Sequence, residues 1–459
     1  MLEQNNINWE RLDMHVINNG WNVTHSVIAV LILCCMAMPG PAQADDLLSV
    51  YTDALDSDPV IRAAAAERDA ALEVIPQSMA MLLPDIGINA DVSRDRFDPR
   101  DSDEDTTYAT NETYSVQLRQ AVYQRERFVQ LKQADHRAAQ ADATYTAAQQ
   151  DLVLRVATNY FQVLGAMDNL EFVIADKEAI AVTLEQAQDR YEVGLAAVTD
   201  VYEAQARYDL AVSEELNAEK LLNDAREALR RLTGTLPGHV SVLKPVIPLV
   251  NPDPSSPEKW LEVALEQNPT LLAATAATSA AKDQIEVQRS GHYPSLDLVA
   301  EYQYRDNDFG GLGIPIERND AAIGIQLNIP LYQGGLISSR TRQASHQYTQ
   351  AREDRVEVHR EVENQIRDSY SGVVVEISKV AALYQAILSS EKALEASQAG
   401  FEVGTRTIVD VLDSQRELLR ARRDHARSRY AYLLNSLRLK QAAGIVAEVD
   451  LASINDMLL

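Results

Sequence analysis

Cysteine, basic charge and long apolar runs are all scarce in this chain, and each scarcity closes off a class of protein. Of its 459 residues only two are cysteine, Cys34 and Cys35. Both lie within the first 44 residues, so the rest has no disulfide framework. Lys and Arg number 42 against 68 Asp and Glu, a net charge of −26. Phosphate backbones need clustered cations, which argues against nucleic acid as a partner. Beyond residue 44 nothing approaches ~18 consecutive apolar residues, so any membrane segment must be something other than a helix. The eight histidines show no HExxH or other close metal-ligand spacing. There is no P-loop and no G-x-S-x-G elbow, and Gly310-Gly311-Leu312-Gly313 lies between strands and opens no helix. No catalytic, cofactor or metal site is expected, and a cleft enzyme is disfavoured. Phenylalanine is rare too, at six against 18 tyrosines, a balance suited to polar-tipped interfaces.

What is present begins with a leader. Residues 1–44 carry the short apolar stretch 27–36, then Ala42 and Ala44 as an A-x-A cleavage site, and read as a removed secretory signal. Arg11 is its sole basic Lys or Arg, and Met14 is a second possible start. Leu33 precedes Cys34 where lipidation wants a small residue, so no lipid anchor is expected.

The remainder repeats. Residues 191–211 and 401–421 are two copies of one segment spaced by 210, with seven of 21 positions identical, among them Gly194/Gly404 and Asp200/Asp410. The same offset pairs Pro59 with Pro269, Pro84 with Pro294, Tyr160 with Tyr370 and Gly234 with Gly444. The chain is a tandem duplication: a first repeat at 45–234, a Pro-rich linker at 235–257, a second repeat at 258–444 and a terminal segment at 445–459.

Each repeat opens on a helix with an Asx cap and Pro at its first position, Asp58-Pro59 and Asn268-Pro269. Period-two alternation then predicts strands at 85–94, 112–122, 295–305 and 321–330. Such strands suit a soluble sheet on a core equally well. The long acidic loops 94–111 and 305–320 at one end, and little sequence to cover an apolar face, favour lipid outside and water inside. Four strands cannot close a barrel. Since an open edge is untenable in hydrocarbon, copies must pool their strands: two chains give eight, three give twelve and a lumen. Residues 125–190 and 336–399 lack proline and are rich in helix formers. They predict helical hairpins over 124–232 and 334–443, turning at Gly194–Thr199 and Gly404–Thr407. Thr407 and Asp410 fit a capping pair.

Four stretches carry a specific resemblance: GTRTIVDVLD (404–413), LYQGG (331–335), GHYPSLDL (291–298) and the Val-Gly tips. Over roughly 46–456 the chain resembles the TolC family of outer-membrane exit ducts. The resemblance implies an α+β homotrimer: a twelve-stranded outer-membrane barrel, a twelve-helix periplasmic barrel and a mixed equatorial belt. It also implies a passive duct for type I secretion or multidrug efflux, working with a periplasmic adaptor and an inner-membrane ABC or RND transporter. Asp410 and Asp413 share a helix face, so a three-fold assembly would stack two carboxylate rings at the periplasmic entrance and select cations. Alternatively the two acids only complement the helix dipole. Glu203, matching Asp413 in the first copy, either adds entrance charge or faces outward. By resemblance Arg406 latches to a neighbouring hairpin through Thr199 and Asp200, a second latch uses a Tyr hydroxyl where Phe401 stands, and adaptor tips meet Gly194, Leu195, Gly404 and Thr405. The competing reading is a periplasmic helical-hairpin adaptor, which carries one hairpin between β-rich halves.

Overall fold

Two long helical hairpins and a four-stranded sheet dominate the computed structural model, which describes residues 46–97, 106–236, 238–309 and 316–459. The leader lies outside the described residues. Helices α1 (Leu47–Ser57), α2 (Pro59–Leu72) and α3 (Val74–Ala80) precede strands β1 (Asp85–Phe97) and β2 (Thr107–Gln124). The first hairpin follows, α4 (Arg125–Glu192) and α5 (Val198–Thr233). The second half repeats the order: α6 (Pro257–Gln267), α7 (Pro269–Arg289), β3 (Ser295–Phe309), β4 (Ile316–Asn328), α8 (Leu336–Glu402) and α9 (Ile408–Ala442). A short α10 (Glu448–Asn455) ends the chain.

Asp58 and Asn268 cap α2 and α7 as their sequence predicts, accepting from the N–H groups of Val60 and Leu271. Three features depart from the sequence reading. Each repeat holds one helix more than expected, α1 and α6, started by the side chains of Asp46 and Ser256. Pro257 is therefore the first residue of α6 and not the end of the linker. The first-repeat helix also breaks at Glu73, because Pro76 has no N–H for the Leu72 carbonyl. Finally, the strands run further into the acidic loops than alternation indicated. Polar partners sustain the extension: Asn111 donates to Asp95 at 2.7 Å, and the Arg94 guanidinium lies 5.0 Å from the Tyr108 ring centre. At its other end β4 stops at Asn328, two residues before Pro330, which cannot extend a ladder.

The sheet is antiparallel in the order β1-β2-β3-β4. Its register aligns apolar side chains in rows: Ile86, Leu118, Ala300 and Ile323 form one, and Ile88, Val116, Tyr302 and Ala321 the next. That face is bare, with Ile88 78% and Ile323 79% exposed. The next row brings Tyr114 against Tyr304 at 6.1 Å, and beyond it stand Glu112, Asp306 and Glu317. At the helical end Tyr123 lies 6.5 Å from Phe128, and Tyr332 is 86% exposed. The alternate face is polar, with Gln117 donating to Glu301 and Arg119 to Gln326.

The helices pack side by side in one layer. Toward the tips the order is α5-α4-α9-α8, and toward the sheet α4-α7-α8 with α2 and α3 flanking α4. The main core sits at mid-length, where Leu47, Tyr160, Leu164, Leu229, Leu437 and Leu451 are buried. Each such side chain stabilises by ~1.5–3 kcal/mol. A belt made of α1, the linker and α10 covers one side of the layer there. Leu243 bridges Leu458, and Leu47 N donates to Asn455 at 3.0 Å. Tyr160 donates to Ser241 O at 2.9 Å, and Arg429 to Lys244 O at 2.9 Å.

Candidate functional site at the hairpin tips

Both hairpins turn by the same device. Leu195 N reaches back to Arg190 O at 2.7 Å and Gly194 N to Tyr191 O at 3.0 Å; Thr405 N and Gly404 N repeat this at 2.8 and 3.1 Å. These paired bonds need a left-handed residue at the turn, supplied by Gly194 at φ 77° and Gly404 at φ 79°. The return helices start differently. α9 opens on a full capping box: the Asp410 carboxylate accepts from Thr407 N at 2.8 Å while the Thr407 hydroxyl accepts from Asp410 N at 3.3 Å. α5 opens on Ala197, with no side-chain cap.

The two tips lie together. Beneath them Ile180, Ala187, Ala204, Ala211, Ile408 and Leu412 form a small buried seam, the alanines allowing close helix approach. Arg190, in the last turn of α4, donates to the terminal carbonyls of α8, Phe401 O at 3.1 Å and Glu402 O at 3.2 Å. Its guanidinium also lies 4.6 Å from the Phe401 ring centre. Phe401 has no hydroxyl to offer, and its ring instead seats this cation. Arg207 of α5 reaches Asp413 of α9 at 3.3 Å, and Arg416 pairs with the same carboxylate at 3.1 Å.

Asp410 and Asp413 are thus both engaged within one chain. Asp410 is held below the usual aspartate range, first by the Thr407 N–H, then by the Thr407 hydroxyl, with the nearby Arg406 adding to it. Arg406 turns back to Asp410 at 3.5 Å and makes no bond to Thr199 or Asp200 among the described residues. Thr199, Glu203, Leu195, Gly404 and Thr405 are exposed, and Asp200 is half-buried. Sequence reading missed Arg190 and Arg207. A basic residue in a last helical turn was a usable signal for Arg190; nothing in the sequence links Arg207 to Asp413.

The outer membrane efflux protein family matches residues 50–235 and 260–445, each half of the chain separately. The chain belongs to the outer membrane efflux protein family. Among outer membrane efflux proteins and their kin it is 41% identical to the outer membrane protein TolC of Vibrio cholerae over 414 residues, 90% of this chain and 93% of that one. It is 36% identical to the TolC of Escherichia coli over 426 residues, 91% and 86% of the two chains. Its fold matches the crystal structure of the outer membrane protein VceC from Vibrio cholerae with a TM-score of 0.74, at 22% identity, covering 87% of this chain and 96% of that one. It is an outer-membrane protein of export, as the resemblance implied.

Proposed function

We propose that this outer membrane efflux protein acts as a homotrimeric, passive exit duct. Three sheets close a twelve-stranded barrel in the outer membrane, and three pairs of hairpins close a twelve-helix tunnel in the periplasm. The observation that carries this is the sheet itself. Among the described residues β1 and β4 each leave an edge without a partner, and the face they border is apolar and bare. Water would not tolerate that face, and lipid would not tolerate those edges. From Leu296 to Tyr304 the apolar band spans nine residues of β3, about 30 Å along the strand at ~3.3 Å each. With a tilt of ~35–45° its height comes close to the ~25 Å of barrel proteins. Tyrosines border it at both ends, as interfacial girdles do.

The helices support the same count. α5 and α8 are the outermost helices of the layer near the tips, and each shows exposed apolar side chains on one side: Val198, Tyr202 and Leu216 on one, Val374, Tyr384 and Leu388 on the other. α8 even contains an 18-residue window apolar enough to cross a membrane, only 11% of it buried. A second copy docking α8 against α5 covers both stripes, which explains the window without a membrane span. At the tips, Asp410 and Asp413 would form the narrow entrance, Glu203 would add charge beside it, and Arg406 would reach Thr199 and Asp200 of a neighbour. A periplasmic adaptor would meet Gly194, Leu195, Gly404 and Thr405, and an ABC or RND transporter of the inner membrane would supply the cargo. The test is direct: purified full-length protein should run as a heat-modifiable trimer and conduct in planar bilayers. A detergent-free monomer without conductance would refute the duct.

A further inference from the structure

α9 has two working faces. Arg429 and Tyr432 hold the linker, and Lys440 holds α10, on one side. Arg416, Arg420, Arg423 and Arg427 stand about half a turn away around the helix, on the side opposite the belt. Their spacing of four, three and four residues stacks them into a ladder roughly 16 Å tall. If the belt girdles the outside of the tunnel, the ladder lines its lumen.

The ladder faces two joined grooves between α4, α5 and α9. One, nearer the tip, holds about 400 Å³, and the other about 770 Å³; Glu214, Arg423 and Arg427 border both. Arg207 and Arg438 extend the basic lining, so six arginines meet four carboxylates. In a chain of net charge −26 that is a local reversal of sign. Some of these cations are already engaged. Arg207 and Arg416 share Asp413 as above, and Arg420 lies 3.9 Å from Asp424. Arg423 and Arg427 have no ion pair among the described residues, and Arg423 Nε is buried without an acceptor. The facing Asp176 compensates poorly: burial, then repulsion from Glu214, raises its carboxyl above the ordinary range even though Arg423 opposes this.

We propose that this ladder is a binding site for small organic anions bearing two or more carboxylate, sulfonate or phosphate groups, with Arg423 and Arg427 as its central pair. Guanidinium forks suit such groups, and the groove volumes fall in the range of small-molecule sites. The inference rests on the duct reading, in which these grooves open to the lumen. It gives the passage an anion-binding wall above an acidic mouth.

The probe is pyrenetetrasulfonate, a fluorescent tetravalent anion, titrated by anisotropy against full-length protein in detergent. Arg427→Gln removes an exposed, unpaired side chain and should leave the fold intact. It should weaken binding about tenfold, and Arg423→Gln with Arg427→Gln by more. Arg62→Gln, exposed on α2, should change nothing. In bilayers the same anion should block the parent and block Arg427→Gln only at higher concentration. Equal binding by the parent and both variants overturns the ladder and leaves the duct standing. A parent that forms no trimer and no conducting pore overturns the duct, and with it the placement of the ladder in a lumen.

Discussion

Asp410 serves the start of α9 before it serves any entrance. Its carboxylate is bonded to Thr407 and lies beside Arg406, so its folded pKa is depressed. The stabilisation is therefore complete above the ordinary value of 3.8 and is lost only as pH falls below it, through the depressed folded value. Closed-state conductance should then show no contribution from this group between about pH 7 and pH 5. A rise over that interval that disappears in Asp410→Asn would contradict the assignment. Arg406→Ser removes one partner of Asp410 and the proposed link to the neighbouring chain. Exposed ion pairs are worth only ~0–1 kcal/mol, which suits a latch that a partner opens. Resting conductance in planar bilayers should rise in Arg406→Ser; a mutant conducting like the parent removes the latch. The pairing of Thr407 with Asp410 was legible because it spans three residues of one helix. The Arg190 and Arg207 contacts join positions more than 200 residues apart, and no local pattern encodes them.

Capped helix ends were the part of the fold that sequence specified best, because caps are local chemistry. Asx-Pro pairs and tip glycines marked their helices correctly. The strand ends did not, since polar residues paired by side chains leave no hydrophobic alternation to count. The glycines at helix ends separate two kinds of constraint. At Gly404 an added Cβ meets nothing within 4 Å, so only the left-handed backbone resists substitution. At Gly444, φ 80°, the same Cβ would also overlap the backbone of Gln267 and Asn268, where α6 joins α7. Gly404→Ala should cost about 1 kcal/mol. Gly444→Ala should cost clearly more and lower the melting temperature of the proposed trimer further in SDS. Equal shifts would show that the equatorial packing at Gly444 can yield.

For the whole molecule, the decisive property is the bare apolar sheet face, which in the proposed assembly further copies and lipid complete. The duplication, the alternating strands and the two hairpins all pointed there from sequence. What sequence could not show is which row of side chains meets which, and so where the apolar band ends in tyrosine. Ile323 sits in the middle of that band. Ile323→Arg should destabilise the proposed barrel by ~2–4 kcal/mol. Asn89→Arg, on the polar face of β1, should be near neutral. Heat-modifiability of the two variants compares them, and equal behaviour would refute the assignment of faces.

The unequal starts of α5 and α9 have a mechanical consequence. In the proposed ring of three chains, a pinned turn at Thr407 alternates with an unpinned one at Ala197, giving three stiff teeth and three compliant ones. Dilation of such an iris need not be uniform: the supple members yield first, and their rigid neighbours follow once the fold lines beside them have moved.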